Sequence, residues 1–140
     1  MNEKFKILTN FIKDMSSETP DVQSYLFVKE NISKYSLNIN ITSKPLKNQM
    51  VEVSTILNFE DKNLNEKKSN FEIVYISIIK IDESVKDKKE LEKIIICDLQ
   101  NKIYPKIEKI FLNLLDLSGF SGVKIEKKIY FDKLYNERTN

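Results

Sequence analysis

Phe71-Glu-Ile-Val-Tyr75-Ile-Ser-Ile-Ile79-Lys-Ile81 is apolar on both faces that an extended chain presents. Side chains alternate along a strand, so Ile73, Tyr75 and Ile79 fall on one side and Val74, Ile76 and Ile78 on the other. A strand without a polar face is buried on both sides. In a chain of 140 residues the second cover is expected to be a groove or another subunit. From Asp82 the apolar period changes from 2 to 3.6. Leu91, Ile94 and Ile95 give one helical stripe behind a charged start, Glu83 to Glu92. A stronger stripe follows in Ile103, Ile107, Ile110, Phe111, Leu114 and Leu115, with Lys102, Lys106 and Lys109 turned away. Pro105 suits the first turn of that helix, or a kink between two helical pieces. Ser118-Gly119-Phe120-Ser-Gly122 stops it with C-cap glycine chemistry, and Asp132 to Glu137 can form a short last helix.

Upstream of the doubly apolar strand, three more strands are expected. Lys4 to Asp14 alternates, with Phe5, Ile7 and Phe11 on one face and Lys4, Lys6, Asn10 and Asp14 on the other. Pro20 ends regular pairing nearby, and residues 21–33 read as an ordered loop carrying Tyr25, Leu26 and Phe27. Ser36-Leu-Asn-Ile-Asn-Ile41-Thr turns Leu37, Ile39 and Ile41 inward. Lys44-Pro45-Leu-Lys-Asn48 is a turn. Val51, Val53, Thr55, Leu57 and Phe59 mark the third strand, and Asp61 to Asn70 reads as a polar hairpin loop. Strands first and helices afterwards give an α+β class: a four-stranded antiparallel sheet, a long helix and a short C-terminal helix. Residues 1–140 are expected to form a single domain.

Composition removes several kinds of chemistry. The chain has no histidine, so the commonest general base and metal ligand is missing. Its one cysteine, Cys97, sits in an apolar run and reads as a core residue. Gly119 and Gly122 lack the strand, lysine and helix of a phosphate-binding loop. An enzyme is therefore not expected, nor a cofactor or metal. The net charge is only +2 and Arg138 is the sole arginine, which argues against a nucleic-acid partner. No apolar run approaches the ~20 residues of a membrane span, so direct membrane insertion is not expected. The N-terminal residues show no secretion signal, so a cytoplasmic location is expected.

Three segments carry a resemblance. Phe11-Ile-Lys-Asp14-Met-Ser-Ser-Glu18-Thr-Pro20, Ile103-Tyr104-Pro105 and Phe131-Asp132-Lys133-Leu134-Tyr135 resemble, in order and spacing, the "YxKDxSFExP", "NILFPYARE" and "NFDALF" segments of the SecB export chaperones. The resemblance spans nearly the whole chain. It implies an ATP-independent holdase that binds unfolded preproteins in a hydrophobic groove and delivers them to the translocation motor SecA. It also implies a homotetramer, a dimer of dimers, held through the long helices, here Ile103, Ile107, Ile110, Phe111 and Leu114.

By the same resemblance, Asp14 and Glu18 fall on the family's acidic SecA contacts and Ile73 on its apolar one. Tyr75 stands where a further acid is expected. Phe27, Phe131, Leu134 and Tyr135 match positions bordering the client groove. The chain departs from the family in its pI near 8.5, in lacking an acidic tail, and in Ile79 and Lys80 at a glycine pair. Two other readings stay open from the residues: a SecB-like chaperone devoted to one client such as an antitoxin, and a small-molecule-binding α+β domain.

Overall fold

The structure, a computed structural model, describes residues 3–63, 68–124 and 130–139. Four strands, β1 (Phe5–Glu18), β2 (Ser36–Pro45), β3 (Met50–Glu60) and β4 (Asn70–Ile81), form an antiparallel sheet in the order β1-β4-β3-β2. The doubly apolar strand β4 is thus central, between β1 and β3. Its odd-numbered residues, with Val51, Val53, Thr55, Leu57 and Phe59 of β3, are buried on one face. The expected alternation of β2 and β3 is borne out. Asn48 and Gln49, both at positive φ, close the β2–β3 hairpin. Residues 64–67 of the expected polar loop lie outside the described residues.

Helical structure continues from α2 (Lys88–Lys93) through a π-helical stretch (Ile94–Asp98) into α3 (Leu99–Leu117). Asp87 caps its start, its side chain accepting from the Lys89 N–H at 3.2 Å. Pro105 lies inside α3 rather than in its first turn. The long helix rests on the odd-numbered face: the Phe111 ring meets Phe59 at 5.2 Å between centroids. A last helix, α4 (Phe131–Thr139), begins one residue earlier than expected.

Residues 21–33 correct the loop reading. Val22–Asn31 is a helix, α1, followed by a single 3₁₀ turn (Ile32–Lys34). Asp21 caps it, its carboxylate accepting from the Ser24 N–H at 2.7 Å. Val22, Tyr25, Leu26, Phe27 and Val28 are spread around the helix instead of forming one stripe, which hides the 3.6 period from a pattern search.

Alternation along β1 is broken twice, between Ile7 and Thr9 and between Ile12 and Asp14. Each bulge adds a residue and swaps the faces that follow. Phe11 lies after one bulge. It therefore pairs with Ile76 on the face opposite Phe5 and Ile7, which corrects its inward assignment. Asp14 and Glu18 lie after both bulges, so the two swaps cancel and simple parity holds for them.

An aromatic cluster closes one end of the core. Phe59 and Phe71 of the sheet meet Tyr35, Phe111 and Phe120, and Phe120 in turn meets Tyr25 of α1 at 5.0 Å. Tyr35 OH donates to the Ser69 carbonyl at 2.6 Å and accepts from the Ser69 N–H at 3.1 Å. The glycine stop is the hinge-pin of this end. Gly119 has φ +94°, and a Cβ there would lie 2.6 Å from the Tyr25 ring, whose OH donates to the Gly119 carbonyl. Gly119→Ala is expected to cost about 1–3 kcal/mol through backbone strain and displacement of Tyr25. A urea midpoint unchanged from wild type would refute that role.

Candidate functional site

The even-numbered face of the sheet, opposite the helices, carries the two carboxylates singled out by the sequence. Across the β1–β4 ladder Asp14 pairs with Val74, Ser16 with Glu72 and Glu18 with Asn70. Asp14 and Glu18 are both exposed. Ser16, Glu18, Asn58, Glu60, Asn70 and Glu72 line a shallow hollow of about 240 Å³. Beside this acidic end runs an apolar strip in which Ile76 has Phe11 as its β1 partner, and Val74 has Ile56 on β3. The arrangement suits a partner surface that is part cationic and part apolar.

Ile73 and Tyr75 do not share that face. They are 0% and 2% exposed and point from β4 toward the helices; burial raises the Tyr75 phenol pKa. The assignment fails by one residue of strand parity: the outward neighbours of Asp14 and Glu18 on β4 are Glu72 and Val74.

The expected groove residues divide. Phe27 is 41% exposed on α1, whereas Phe131 is 3% exposed and packs its ring on Tyr104 at 5.3 Å, as part of the core. Leu134 and Tyr135 are half-buried against the same core, with Tyr135 OH donating to the Lys89 carbonyl at 3.2 Å. The expected interface stripe lies within the core of the single chain. Ile103, Ile107, Phe111 and Leu114 are buried against the chain's own sheet, leaving only Ile110 of that set half-buried. One helix face cannot serve both the monomer core and a partner.

Apolar surface is exposed elsewhere. On β1, Leu8, Ile12 and Met15 are exposed, with Ile12 and Met15 on the helix side of the sheet. Val22, Leu26 and Phe27 of α1 and Leu117 at the end of α3 are exposed too. Of these, only Phe27 is singled out by the sequence as a groove residue; the others leave no signal, because the bulges scramble the β1 pattern and α1 has no stripe. Among the described residues β1 pairs only with β4, so its outer edge presents unpaired main-chain groups.

Comparison with known proteins decides the family. The whole chain, residues 1–140, matches the SecB family, described as preprotein translocase subunit SecB. The chain belongs to the SecB family. A putative protein-export protein SecB from Pelagibacter ubique (strain HTCC1062) is 61% identical over 140 residues, covering all of both chains. A protein-export protein SecB from Bartonella bacilliformis is 24% identical over 139 residues, covering 98% of this chain and 86% of that one. Among solved structures, a SecB-like chaperone of Mycobacterium tuberculosis, in complex with an antitoxin-derived peptide, superposes with a TM-score of 0.63. That match covers 89% of this chain and 91% of that one at 10% identity, and so shows the shared fold. Membership makes the chain a holdase chaperone of preprotein export. SecB proteins are not known as enzymes.

In this SecB-family chain the one thiol is structural. Cys97 Sγ–H donates to an Asp132 carboxylate oxygen, joining the π-helical stretch to α4. Burial, the hydrogen bond to Asp132 and the charges of Asp132 and Asp98 push the thiol pKa up to about 12. Burial, with the Glu108 charge, pushes the Tyr104 phenol up to about 12 as well. Both groups are neutral when protonated and have raised folded pKa values. Their stabilisation is therefore complete below the unfolded values, about 8.5 and 10, and is lost as pH rises toward 12. Urea midpoints are expected to fall between pH ~8.5 and ~12, and to fall less in Cys97→Ser with Tyr104→Phe. Equal falls in variant and wild type would rule these two groups out as the cause.

Proposed function

We propose that this SecB-family chain is an ATP-independent holdase that keeps presecretory chains unfolded in the cytoplasm and passes them to SecA. The observation that carries the proposal is the apolar surface on β1, α1 and the end of α3, which the chain's own core does not use. Exposed apolar area of that extent usually marks an interaction site. Aromatic and flexible side chains such as Phe27 and Met15 suit varied clients, because they bury area without a fixed hydrogen-bond code. Binding the unfolded state lowers its free concentration and so opposes both folding and aggregation. No residue does covalent work in this mechanism.

Assembly would use the main-chain edge of β1, and docking the opposite face of the sheet. The free edge of β1, 14 residues long with apolar side chains beside it, supports pairing with a second copy. Two such dimers would make the homotetramer. The even-numbered sheet face, with Asp14, Glu18 and Glu72 beside Phe11 and Val74, supports SecA docking.

The test of the client surface is suppression of aggregation. Light scattering of a reduced, unfolded test protein is expected to fall when the chaperone is added. Ile12→Ser with Leu26→Ser and Phe27→Ser is expected to lose most of that effect while its circular dichroism stays native. Full suppression by the triple variant would move the client surface elsewhere on the molecule.

A further inference from the structure

The long helix is not a uniform rod. Within Ile94–Asp98 it widens to π geometry, and the Leu99 N–H reaches back five residues to the Ile94 carbonyl. Farther along, Pro105 has no N–H to give the Asn101 carbonyl one turn before it. The α-helical ladder is therefore broken on both sides of Leu99–Tyr104, and π turns and prolines are the usual sites of helix bending.

That bracketed piece also meets the sheet differently from the rest of the helix. Leu99 and Ile103 share the apolar core with Ile107, Phe111 and Leu115, but polar side chains are buried beside them. Gln100 donates through Nε2 to Thr55 Oγ1 at 2.9 Å and to the Ile95 carbonyl, inside the π turn, at 3.4 Å; its Oε1 has no partner among the described residues. Ser77 Oγ, Asn10 Oδ1 and Tyr104 OH are likewise buried and unpaired there. Asn10 and Ser77 stand opposite each other on β1 and β4, Thr55 pairs with Tyr75 one step along, and Tyr104 follows Gln100 by one helical turn. Buried polar groups without partners weaken the contact that buries them.

We propose that Leu99–Tyr104 is a hinge segment of the long helix. It lifts locally from the sheet, pivoting at the π turn and at Pro105, while Ile107–Leu115 stays seated. α4 rides on it, since Phe131 packs on Tyr104 and Asp132 accepts from Cys97 at the pivot. Lifting the segment therefore shifts the last helix with it.

Hydrogen exchange on the full chain tests this independently of chaperone activity. Amides of residues 99–104 are expected to exchange about tenfold faster than those of residues 107–115. Ser77→Ala with Tyr104→Phe removes two unpaired hydroxyls and no existing bond, and is expected to slow residues 99–104 about tenfold while leaving residues 107–115 unchanged. Pro105→Ala, which restores an N–H, is expected to slow the same residues. Equal protection along residues 99–115 in the wild type would overturn the hinge. So would exchange in residues 99–104 that neither set of substitutions slows.

Discussion

Phe111→Ala is expected to destabilise the fold strongly rather than to split an assembly. The side chain is 1% exposed and its ring meets Phe59 at 5.2 Å within an aromatic cluster. Truncating such a residue removes its transfer free energy and leaves a cavity, at a cost of about 3–5 kcal/mol. Aromatic contacts beyond plain area burial add to that. Against a total stability on the order of 5–15 kcal/mol, this one change removes a large share. Ile110→Ala, one position away but half-buried, is expected to cost far less. Urea unfolding of both variants distinguishes a core from an interface: a Phe111→Ala chain with a native midpoint but a smaller native mass would restore the interface reading.

Charge reversal on the even-numbered sheet face is expected to have the largest effect on partner binding. Asp14→Lys, Glu18→Lys and Glu72→Lys together convert the acidic end to a basic one without touching the core. Like-charge juxtaposition suppresses association and slows encounter, so SecA affinity is expected to fall on the order of 10–100-fold. The wild-type affinity should also weaken with added salt, since Asp14 and Glu18 are exposed and screened. Tyr75→Phe is the control. Its side chain lies on the opposite face, so SecA affinity should hold in that variant. Unchanged affinity in the triple variant, measured by titration calorimetry, would make the carboxylates ordinary surface.

Period-2 and period-3.6 patterns carried most of the architecture. β2, β3, β4 and the α3 stripe were legible because burial on one face of a regular element leaves a repeat in the sequence. Phe11 defeats the alternation because a bulge changes parity without changing composition; Asp14 keeps its expected face because two bulges cancel. α1 was invisible for a different reason. Its apolar residues face both core and solvent, so the side that would bind clients fills in the side that would show a helix. Ile73 and Tyr75 show the limit of reading a strand by likeness alone: a shift of one residue moves a side chain from the outward face into the core. Ile107 and Phe111 could not be divided between core and interface from the sequence, since both environments select the same side chains. The polar seam at Asn10, Thr55, Ser77 and Gln100 left no periodic signal, because each residue is polar within an apolar pattern for reasons that only the packing reveals.

The exposed apolar surface is expected to bind chains that have not folded and to leave folded ones alone. Titration calorimetry with one presecretory polypeptide, in its reduced unfolded form and again in its folded form, separates the two cases. Saturable binding of the unfolded form is expected, with a negative heat-capacity change, the mark of buried apolar area, and no heat with the folded form. Equal binding of both forms, or of neither, would contradict that expectation.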